Sequence, residues 1–284
     1  MRSIEWTVAL FLGRVLKLSS RPVEARIVRL CGAALSVPKQ DGLEVRQMLR
    51  MTGNKITYLG HSTFLLTMQA GQTILVDPWL GGNPACPAAF KKLPRVDIVA
   101  VTHGHMDHIG DLLEVAREHQ PHIVANYEIY LWLESKGIKN LCPMNKGGTQ
   151  KVGDMEITMV NAHHSSSMQD DGKVLYGGEP GGFVMRLPGG LSVYHAGDTC
   201  VFGDMKLIGE LYTPDVACLP IGDLFTMGPR EAALAIRLLA VRHVIPMHYA
   251  TFPMLTGTPE DLLSRTQDIS GLEIHALKPG ETLE

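Results

Sequence analysis

Three histidines and two aspartates lie within ten positions of the chain, in the stretch THGHMDHIGD at residues 102 to 111. Four of them follow the pattern H-x-H-x-D-H, namely His103, His105, Asp107 and His108. Imidazole and carboxylate groups are good ligands for zinc and similar metals, with bonds of roughly 2 to 2.2 Å. Residues two apart in extended backbone face the same way, so His103 and His105 can bind one ion. After the chain turns, Asp107 and His108 can bind a second ion about 3.5 to 4 Å away.

A dinuclear site needs more ligands than this stretch contains, and three later stretches can supply them. They are NAHHSSS with His163 and His164, YHAGDT with His195 and Asp198, and PMHYAT with His248. Each follows an apolar segment typical of a strand, and strand ends that share one rim of a sheet bring their side chains together. Adjacent residues of an extended chain face opposite sides, so we expect only one of His163 and His164 to be a ligand. His164 is favoured because it directly precedes the serines.

The elements that must position these residues begin at Ile56. The segments ITYL, TFLLT and TILVD are short, apolar or β-branched, and separated by turns that contain glycine, which predicts an antiparallel or mixed sheet. VDIVAVT is an apolar strand that leads into the histidine cluster, and GDLLEVAREH after it has helical periodicity. The cluster is therefore predicted to lie on a loop between a strand and a helix. We expect the buried helical face to carry Leu112, Val115 and Ala116.

Strands and helices continue to alternate through the rest of the chain. Predicted strands are MEITMV, GFVMRL, LSVYH, DVACLP, HVIPM and LEIHAL. One predicted helix begins at Pro229, since proline is favoured in the first turn of a helix. Its inward face is predicted to carry Ala232, Ala235, Ile236 and Leu239. The pattern indicates a chain of the α/β (α+β) class, and no linker is visible after residue 53.

Composition restricts the classes of partner and compartment. The chain has 284 residues, 45% hydrophobic content and a formal net charge of −3, with no run of Lys or Arg. This argues against nucleic acid and anionic membranes as partners and favours a small-molecule substrate. The five cysteines are odd in number and include no C-x-x-C, which indicates a reducing, cytoplasmic location. Composition leaves open whether the chain forms a homo-oligomer.

The first 50 residues differ from the remainder of the chain. The apolar stretch WTVALFLG is much shorter than the roughly 18 to 20 residues that span a bilayer, so no membrane span is predicted. Arg2 is offset by Glu5 and no cleavage site is evident, which argues against a signal peptide. An amphipathic surface helix through FLGRVLKL stays open. We expect residues 1 to 53 to be a poorly ordered or non-native leader, and residues 54 to 284 to be a single hydrolase domain.

Several motifs together resemble one known family. They are ITYLGHSTFLL, ILVDPWLGGNP, HSSS, YGGEPGGF, YHAGDT, DMKLIGELY, LPIGDLFTMGP and PMHYATFP. With the histidine cluster, they resemble the metallo-β-lactamase superfamily, in its branch of uncharacterised metal-dependent hydrolases related to ascorbate-6-phosphate lactonase. The resemblance covers residues 54 to 284. It implies a four-layer αββα sandwich, with two mixed sheets face to face, helices outside and metal ions at one edge.

The resemblance also implies roles for individual residues. The ligands of a first metal ion would be His103, His105 and His164. Those of a second ion would be Asp107, His108 and His248, with Asp198 bridging both ions. Asp77 resembles an aspartate that braces the metal-binding loop. His61 and His195 are interpreted as candidate catalytic residues that line the pocket, orient a ligand or deliver a proton to the leaving group, although a packing role is equally compatible.

The implied activity is hydrolysis of a small ester, lactone or phosphodiester. Two divalent ions, zinc in the first place with manganese, iron or nickel also compatible, would supply a bound hydroxide that Asp198 holds and aligns. The alternative is a non-catalytic metal-binding or sensor protein on the same fold. Seven ligands shared by two ions leave room for water and substrate, whereas a structural zinc site is closed by four protein ligands, so the ligand count favours an enzyme.

Overall fold

The structure is a computed structural model of the chain, and it describes residues 49 to 284. Six α-helices lie in this range: α1 (Met106–Ile109), α2 (Leu112–His119), α3 (Tyr127–Ser135), α4 (Met205–Tyr212), α5 (Pro229–Leu239) and α6 (Pro259–Ser264). The strands before the middle of the chain are β1 (Lys55–Tyr58), β2 (Phe64–Thr67), β3 (Thr73–Val76), β4 (Ile98–Ala100), β5 (His122–Asn126), β6 (Leu141–Met144), β7 (Thr149–Val152) and β8 (Met155–Asn161). Those after it are β9 (Ser167–Asp170), β10 (Lys173–Tyr176), β11 (Gly181–Arg186), β12 (Ser192–His195), β13 (Val216–Pro220), β14 (His243–Met247), β15 (Glu273–Ile274) and β16 (Thr282–Leu283).

Two seven-stranded sheets form the centre of the described structure. The first has the order β16-β1-β2-β3-β4-β5-β6 and the second has the order β15-β14-β13-β12-β11-β8-β7. Each sheet is antiparallel in one half and parallel in the other, where the chain passes through β3 to β6 or through β12 to β15. The remaining pair, β9 and β10, is a separate antiparallel hairpin. Parallel halves matter for function because the carboxyl ends of their strands lie at the same edge of a sheet.

Alternation along the strands of the first sheet explains how it is covered on both faces. Ile74 and Val76 of β3 belong to the main buried core, which also contains apolar side chains of the second sheet. Leu75, between them, belongs to a second buried cluster together with Leu112 of α2 and Leu133 of α3. Successive side chains of a strand point to opposite faces, so one face meets the other sheet and the opposite face meets the helices. The four-layer αββα sandwich of the sequence prediction is the observed class of fold.

Several predictions of secondary structure are confirmed. Helix α2 buries Leu112, Val115 and Ala116 as expected. Helix α5 begins at Pro229, and its buried residues include the predicted Ala232, Ala235, Ile236 and Leu239. The histidine cluster differs from the prediction in one respect, because it does not lie wholly on a loop. The short helix α1 begins directly after His105 and contains Asp107 and His108.

The predicted leader lies almost entirely outside the described residues, so its boundaries at residues 1 and 53 stay a prediction. Met51 is buried in the main core, and the partly buried Leu49 packs against it. The side-chain amide of Asn54, which is also buried, donates to the carbonyl oxygen of Pro188 at 3.0 Å. No helix within residues 49 to 284 is long and apolar enough to cross a membrane. The cytoplasmic location also stays a prediction.

Candidate metal centre

The chemistry-bearing residues lie where strands of both sheets end. In the first sheet, Asp77 directly follows β3, and the histidine cluster begins just after β4. In the second sheet, His164 follows β8, Asp198 follows β12 and His248 follows β14. His61 lies in the turn between β1 and β2. The structure brings all of these side chains together. His195, the last residue of β12, belongs to none of the sets of candidate ligands.

Asp77 organises the loop that follows β4 through hydrogen bonds. Its Oδ1 accepts from the backbone N–H of Thr102 at 2.8 Å, and its Oδ2 accepts from the Thr102 hydroxyl at 2.7 Å. The same Oδ2 accepts from Nδ1 of His108 at 2.7 Å. Because the Thr102 hydroxyl donates to Asp77, it accepts from Nδ1 of His103, which lies 2.9 Å away. One buried carboxylate thus fixes the ring orientation of two histidines, with Nδ1 engaged and Nε2 of each turned toward Asp198.

Asp198 lies where these Nε2 atoms converge. Its Oδ2 is 3.0 Å from Nε2 of His248 and 3.3 Å from Nε2 of His108. It is 3.7 Å from Nε2 of His164 and 3.9 Å from Nε2 of His103. A single carboxylate oxygen is therefore surrounded by four imidazole nitrogens that come from three separate loops.

Two sets of candidate ligand atoms lie around this carboxylate, and they approach each other at His103 and His108, whose ring centroids are 4.1 Å apart. We call the first the imidazole group, which consists of His103, His105 and His164. We call the second the mixed group, which consists of His61, Asp107, His108 and His248. Within each group the ligand atoms lie within 4.8 Å of one another, as required for atoms that bind one ion at about 2 to 2.2 Å.

His61 lies in the mixed group, although no spacing in the sequence predicted it as a ligand. Its Nε2 lies 3.1 Å from Oδ2 of Asp107, and its Nδ1 lies 3.0 Å from the hydroxyl of Thr251. Both bonds are satisfied when Nε2–H donates to Asp107 and the Thr251 hydroxyl donates to Nδ1. Burial lowers the pKa of His61 to about 4 even though Asp107 acts to raise it. A neutral His61 that orients the Asp107 carboxylate is the arrangement that the geometry favours.

Backbone conformation at the centre is unusual for residues with a side chain. His61, Asp77 and His248 have φ angles of 58°, 50° and 55°, in the left-handed region that is uncommon for residues other than glycine. His248 is held there by a hydrogen bond of 2.7 Å from its N–H to the carbonyl oxygen of His61. Strained backbone of this kind persists only where the surrounding fold enforces it, and it is concentrated at functional sites.

The donor atoms fit a divalent cation. Nε2 of His108 lies 3.3 Å from Oδ2 of Asp198, and in a buried site this approach is favourable only when a proton or a metal ion lies between the two atoms. Within the described residues, His108 Nε2, Asp198 Oδ1 and His248 Nδ1 are buried without a hydrogen-bond partner. Although burial opposes it, Asp198 and Asp77 raise the pKa of His108 well above its ordinary value. The two carboxylates therefore favour positive charge at this point, carried by a proton or a metal ion.

Two of the sequence-derived candidates have other surroundings. His163 is exposed, and its ring stacks on that of Phe202 with centroids 4.7 Å apart, so His164 is the member of the pair that faces the cluster. His195 is fully buried, with Nε2 donating to the carbonyl oxygen of Ser62 at 2.9 Å. Its Nδ1 accepts from the N–H of Gly197 at 3.2 Å. Both nitrogens of His195 are thus engaged by backbone groups.

An open cavity of about 440 Å³ lies beside the mixed group and is lined by Asp107, Trp79, Met106 and Phe252. The Trp79 ring lies 6.0 Å from that of Phe252 and 5.1 Å from that of His61. A larger cavity, of about 540 Å³, lies against Arg50, Asp215 and Arg242 and includes none of the cluster residues. The cavity of about 440 Å³ is therefore the one that adjoins the candidate metal centre.

Glycines and a carboxylate keep Trp79 in this position. A Cβ atom on Gly82 would lie 2.8 Å from the indole nitrogen, and one on Gly110 would lie 2.7 Å from Cδ1 of the indole. The side chain of Asp111, the remaining aspartate of the histidine-rich stretch, accepts from the backbone N–H of Leu80 and of Gly81. The aromatic wall is therefore built into the fold.

Sequence reasoning missed the residues that support the ligands. Thr102, Thr251, Trp79 and Phe252 carry no spacing signal of their own. Three of them lie inside recognised motifs, Trp79 in ILVDPWLGGNP and both Thr251 and Phe252 in PMHYATFP, and Thr102 begins the histidine-rich stretch. Their proximity to Asp77, His103 and His248 in the sequence is the signal that could have identified them.

Comparison with known proteins agrees with this centre. Residues 72 to 249, which run from the start of β3 past His248, match the family described as the Beta-lactamase superfamily domain. Among solved structures, the metallo hydrolase Igni18 from the hyperthermophilic archaeon Ignicoccus hospitalis is 37% identical, with a TM-score of 0.71. The match covers 81% of this chain and 97% of Igni18. The matched region contains the predicted metal ligands.

Curated relatives extend the comparison over most of the chain. A UPF0173 metal-dependent hydrolase from Rubrobacter xylanophilus is 54% identical over 241 residues, which cover 84% of this chain and 99% of the relative. Another, from Koribacter versatilis, is 50% identical over 232 residues, which cover 82% of this chain and 98% of the relative. The chain belongs to the beta-lactamase superfamily and, within it, to the UPF0173 family of metal-dependent hydrolases.

Proposed function

We propose that the protein is a dinuclear hydrolase in which the imidazole group holds one divalent ion and the mixed group holds the other. Asp198 would be the ligand common to both ions. The observation that carries this proposal is the convergence of four Nε2 atoms on Oδ2 of Asp198 at 3.0 to 3.9 Å. Imidazole and carboxylate donors suit zinc, and they also accept manganese, iron and nickel.

When bound, the two ions lower the pKa of water toward neutrality, which supplies a hydroxide nucleophile, and they polarise the oxygen under attack. The residues of the chain prepare this chemistry. Asp77 keeps Nε2 of His103 and His108 free to bind, and His61 fixes the direction of the Asp107 carboxylate. The low pKa of His61 and the engaged nitrogens of His195 support positioning roles for both, rather than delivery of a proton to the leaving group.

The substrate class that this site suits is a small ester, lactone or phosphodiester that carries an apolar group. Trp79, Met106 and Phe252 form an apolar wall that continues directly from Asp107. Such a wall binds an alkyl or aromatic substituent by removing it from water, at roughly 25 cal/mol per Å² buried. The polar end of the substrate would then lie at the ion of the mixed group.

The experiment is a screen of the metal-loaded protein against matched pairs of esters, lactones, thioesters and phosphodiesters. Each pair differs only in a short polar or an aromatic substituent. We expect turnover of at least one class, faster for its aromatic member, abolished by a chelator and restored by zinc or manganese. Protein that binds its ions but turns over no member of the panel would favour the non-catalytic sensor.

Trp79→Leu tests the apolar wall, and Trp132→Leu is a matched control. Both indoles are 9% exposed, but Trp132 lies on α3 and does not line the cavity. Trp79→Leu should raise KM for the aromatic substrate and leave the polar member of the pair little changed. Equal effects of the two variants on both substrates would argue against this cavity as the binding pocket.

A further inference from the structure

A second histidine cluster lies at the edge of the second sheet, where β14 pairs with β15. His243 begins β14 and is in register with Glu273 of the parallel strand β15. His275 continues that strand by one step, since its N–H donates to the carbonyl oxygen of Val244 at 2.8 Å. Residues two apart on a strand share a face, so all three side chains project from the same side of the sheet.

The ligand atoms of these side chains are close together. Nδ1 of His243 lies 3.2 Å from Nε2 of His275, and the two rings are stacked with centroids 5.4 Å apart. Oε2 of Glu273 lies 3.8 Å from Nδ1 of His243. All three donor atoms lie within 4.8 Å of one another. Two nitrogens bound to one tetrahedral ion at about 2.0 to 2.1 Å would be about 3.3 Å apart, close to the separation of the two imidazoles.

We propose that His243, Glu273 and His275 form a separate divalent-metal site that fastens the edge strand β15 to β14. Two histidines and one glutamate are a donor set that zinc uses in proteins. The His243 side chain is 8% exposed and that of Glu273 is 49% exposed, so the cluster has a buried side and a side open to an ion from solvent.

The location of this site separates it from the catalytic centre. His243 is the first residue of β14, and His248, a member of the mixed group, directly follows the last. Five residues of extended chain at about 3.3 Å each place the two sites about 16 Å apart. None of the three residues belongs to either group around Asp198. The ion held here would stabilise the pairing of β15 with β14, and it would take no part in hydrolysis.

The donor atoms of the cluster suit a cation, because one carboxylate lies beside two imidazole nitrogens that are close enough to bind the same ion. A simple hydrogen bond between the two rings is the competing explanation of the 3.2 Å distance, and it needs neither the glutamate nor an ion.

The test compares zinc content per chain after equilibration with zinc and removal of the unbound ion, for wild type, His275→Gln and the control His122→Gln. His122 is an exposed histidine at the start of β5, in the other sheet. We expect His275→Gln to bind one ion fewer than wild type and His122→Gln to bind the same number. The difference does not depend on whether the catalytic centre holds one ion or two. Equal zinc content of His275→Gln and wild type would overturn the proposal.

A second variant guards against a folding defect in His275→Gln. Glu273→Gln alters an exposed side chain and leaves the histidine pair in place. Loss of a group that only orients a metal ligand already weakens metal binding roughly 10- to 100-fold. Loss of Glu273, a proposed ligand, should therefore weaken binding of this ion at least about tenfold. Cobalt titration, followed by its visible absorption, measures this. An unchanged titration of Glu273→Gln would reduce the cluster to a hydrogen-bonded pair.

Discussion

The imidazole group and the mixed group share Asp198 but differ in how firmly the fold holds them. In the mixed group, His61, His108 and His248 are buried, Asp77 braces His108, and His61 braces Asp107. In the imidazole group only His103 is buried, and it reaches Asp77 indirectly, through the hydroxyl of Thr102. The other members, His105 and His164, are partly exposed. The mixed group therefore has more buried and braced side chains, although its Asp107 side chain is 33% exposed and faces the open cavity.

Preorganisation and charge both favour tighter binding by the mixed group. Ligands held by hydrogen bonds lose little freedom when the ion binds, and the Asp107 carboxylate adds a negative charge. Partly exposed histidines can adjust their positions as substrate binds. We therefore expect the mixed group to retain its ion more strongly than the imidazole group.

The largest expected effect comes from Asp198→Asn, because Asp198 is the residue that both groups share. The change removes a negative charge that lies within 3.9 Å of a nitrogen from each group. We expect kcat/KM to fall by more than about 100-fold with metals saturating. This exceeds the loss of about 10- to 100-fold that is typical when a residue that only orients a ligand is replaced. A variant with two bound ions and nearly wild-type kcat/KM would show that Asp198 is not the bridge.

Removing one ligand from each group tests the difference in affinity. His248→Ala should lose the ion of the mixed group, and His105→Ala should lose that of the imidazole group. Elemental analysis after dialysis against chelators of increasing strength measures which ion wild type releases first and which one each variant retains. We expect the ion that remains in His105→Ala to resist stronger chelators, by at least about tenfold in affinity. The reverse order would contradict the ranking of the groups.

Asp77→Asn should have a smaller effect, since Asp77 touches no metal ion and acts through the ligands. We expect a loss of about 10- to 100-fold in metal affinity or activity. The loss should be greater at the mixed group, because Asp77 accepts directly from His108. Thr102→Val is the matched control. It removes the hydroxyl that links Asp77 to His103, and it retains the direct hydrogen bond between His108 and Asp77. If Thr102→Val weakened metal binding by the mixed group as much as Asp77→Asn does, the proposed support of His108 by Asp77 would be wrong.

The sequence identified the side chains that converge at this centre more readily than the contacts that support them, and their role as metal ligands stays a prediction. The spacing of His103, His105, Asp107 and His108 reflects the reach of a metal–ligand bond, which is a local property of the chain. The strands that carry them also follow a local rule, as the alternation through β3 shows. The remaining contacts depend on long-range packing, such as the bond from His61 to Asp107, which are 46 positions apart. No periodicity of the sequence could have indicated that the buried His61 side chain would face Asp107.

The edge cluster shows the same limit. His243 and His275 are 32 positions apart, and no motif of the sequence connects them. Only the register of β14 with β15 brings Glu273 opposite His243. Register between parallel strands is set by how their connecting segments pack, and no feature of either segment alone determines it.

The smallest effect on activity is expected from His195→Leu, because His195 belongs to neither group. Its two nitrogens are bonded to Ser62 and Gly197, and removing both bonds leaves buried backbone groups unpaired. This should cost about 1 to 3 kcal/mol of stability for each group, with kcat/KM of the folded, metal-loaded protein nearly unchanged. His195→Gln, whose amide can still donate to Ser62, should lose less stability. Loss of kcat/KM by 100-fold in His195→Leu would instead return His195 to a catalytic role.

The pH dependence of stability gives a second measure of the same residue. Burial lowers the pKa of His195 in the folded state below its ordinary value of 6.5, so the unfolded chain binds a proton more readily. Stability therefore falls as pH decreases from about 6.5 toward the lowered folded-state value, and the residue costs nothing well above pH 6.5. Chemical unfolding of the metal-free protein at pH 7.5, 6 and 5 measures this slope, which should be shallower in His195→Leu than in wild type. An unchanged slope would mean that His195 is protonated equally in both states, and that the other buried histidines account for the whole pH dependence.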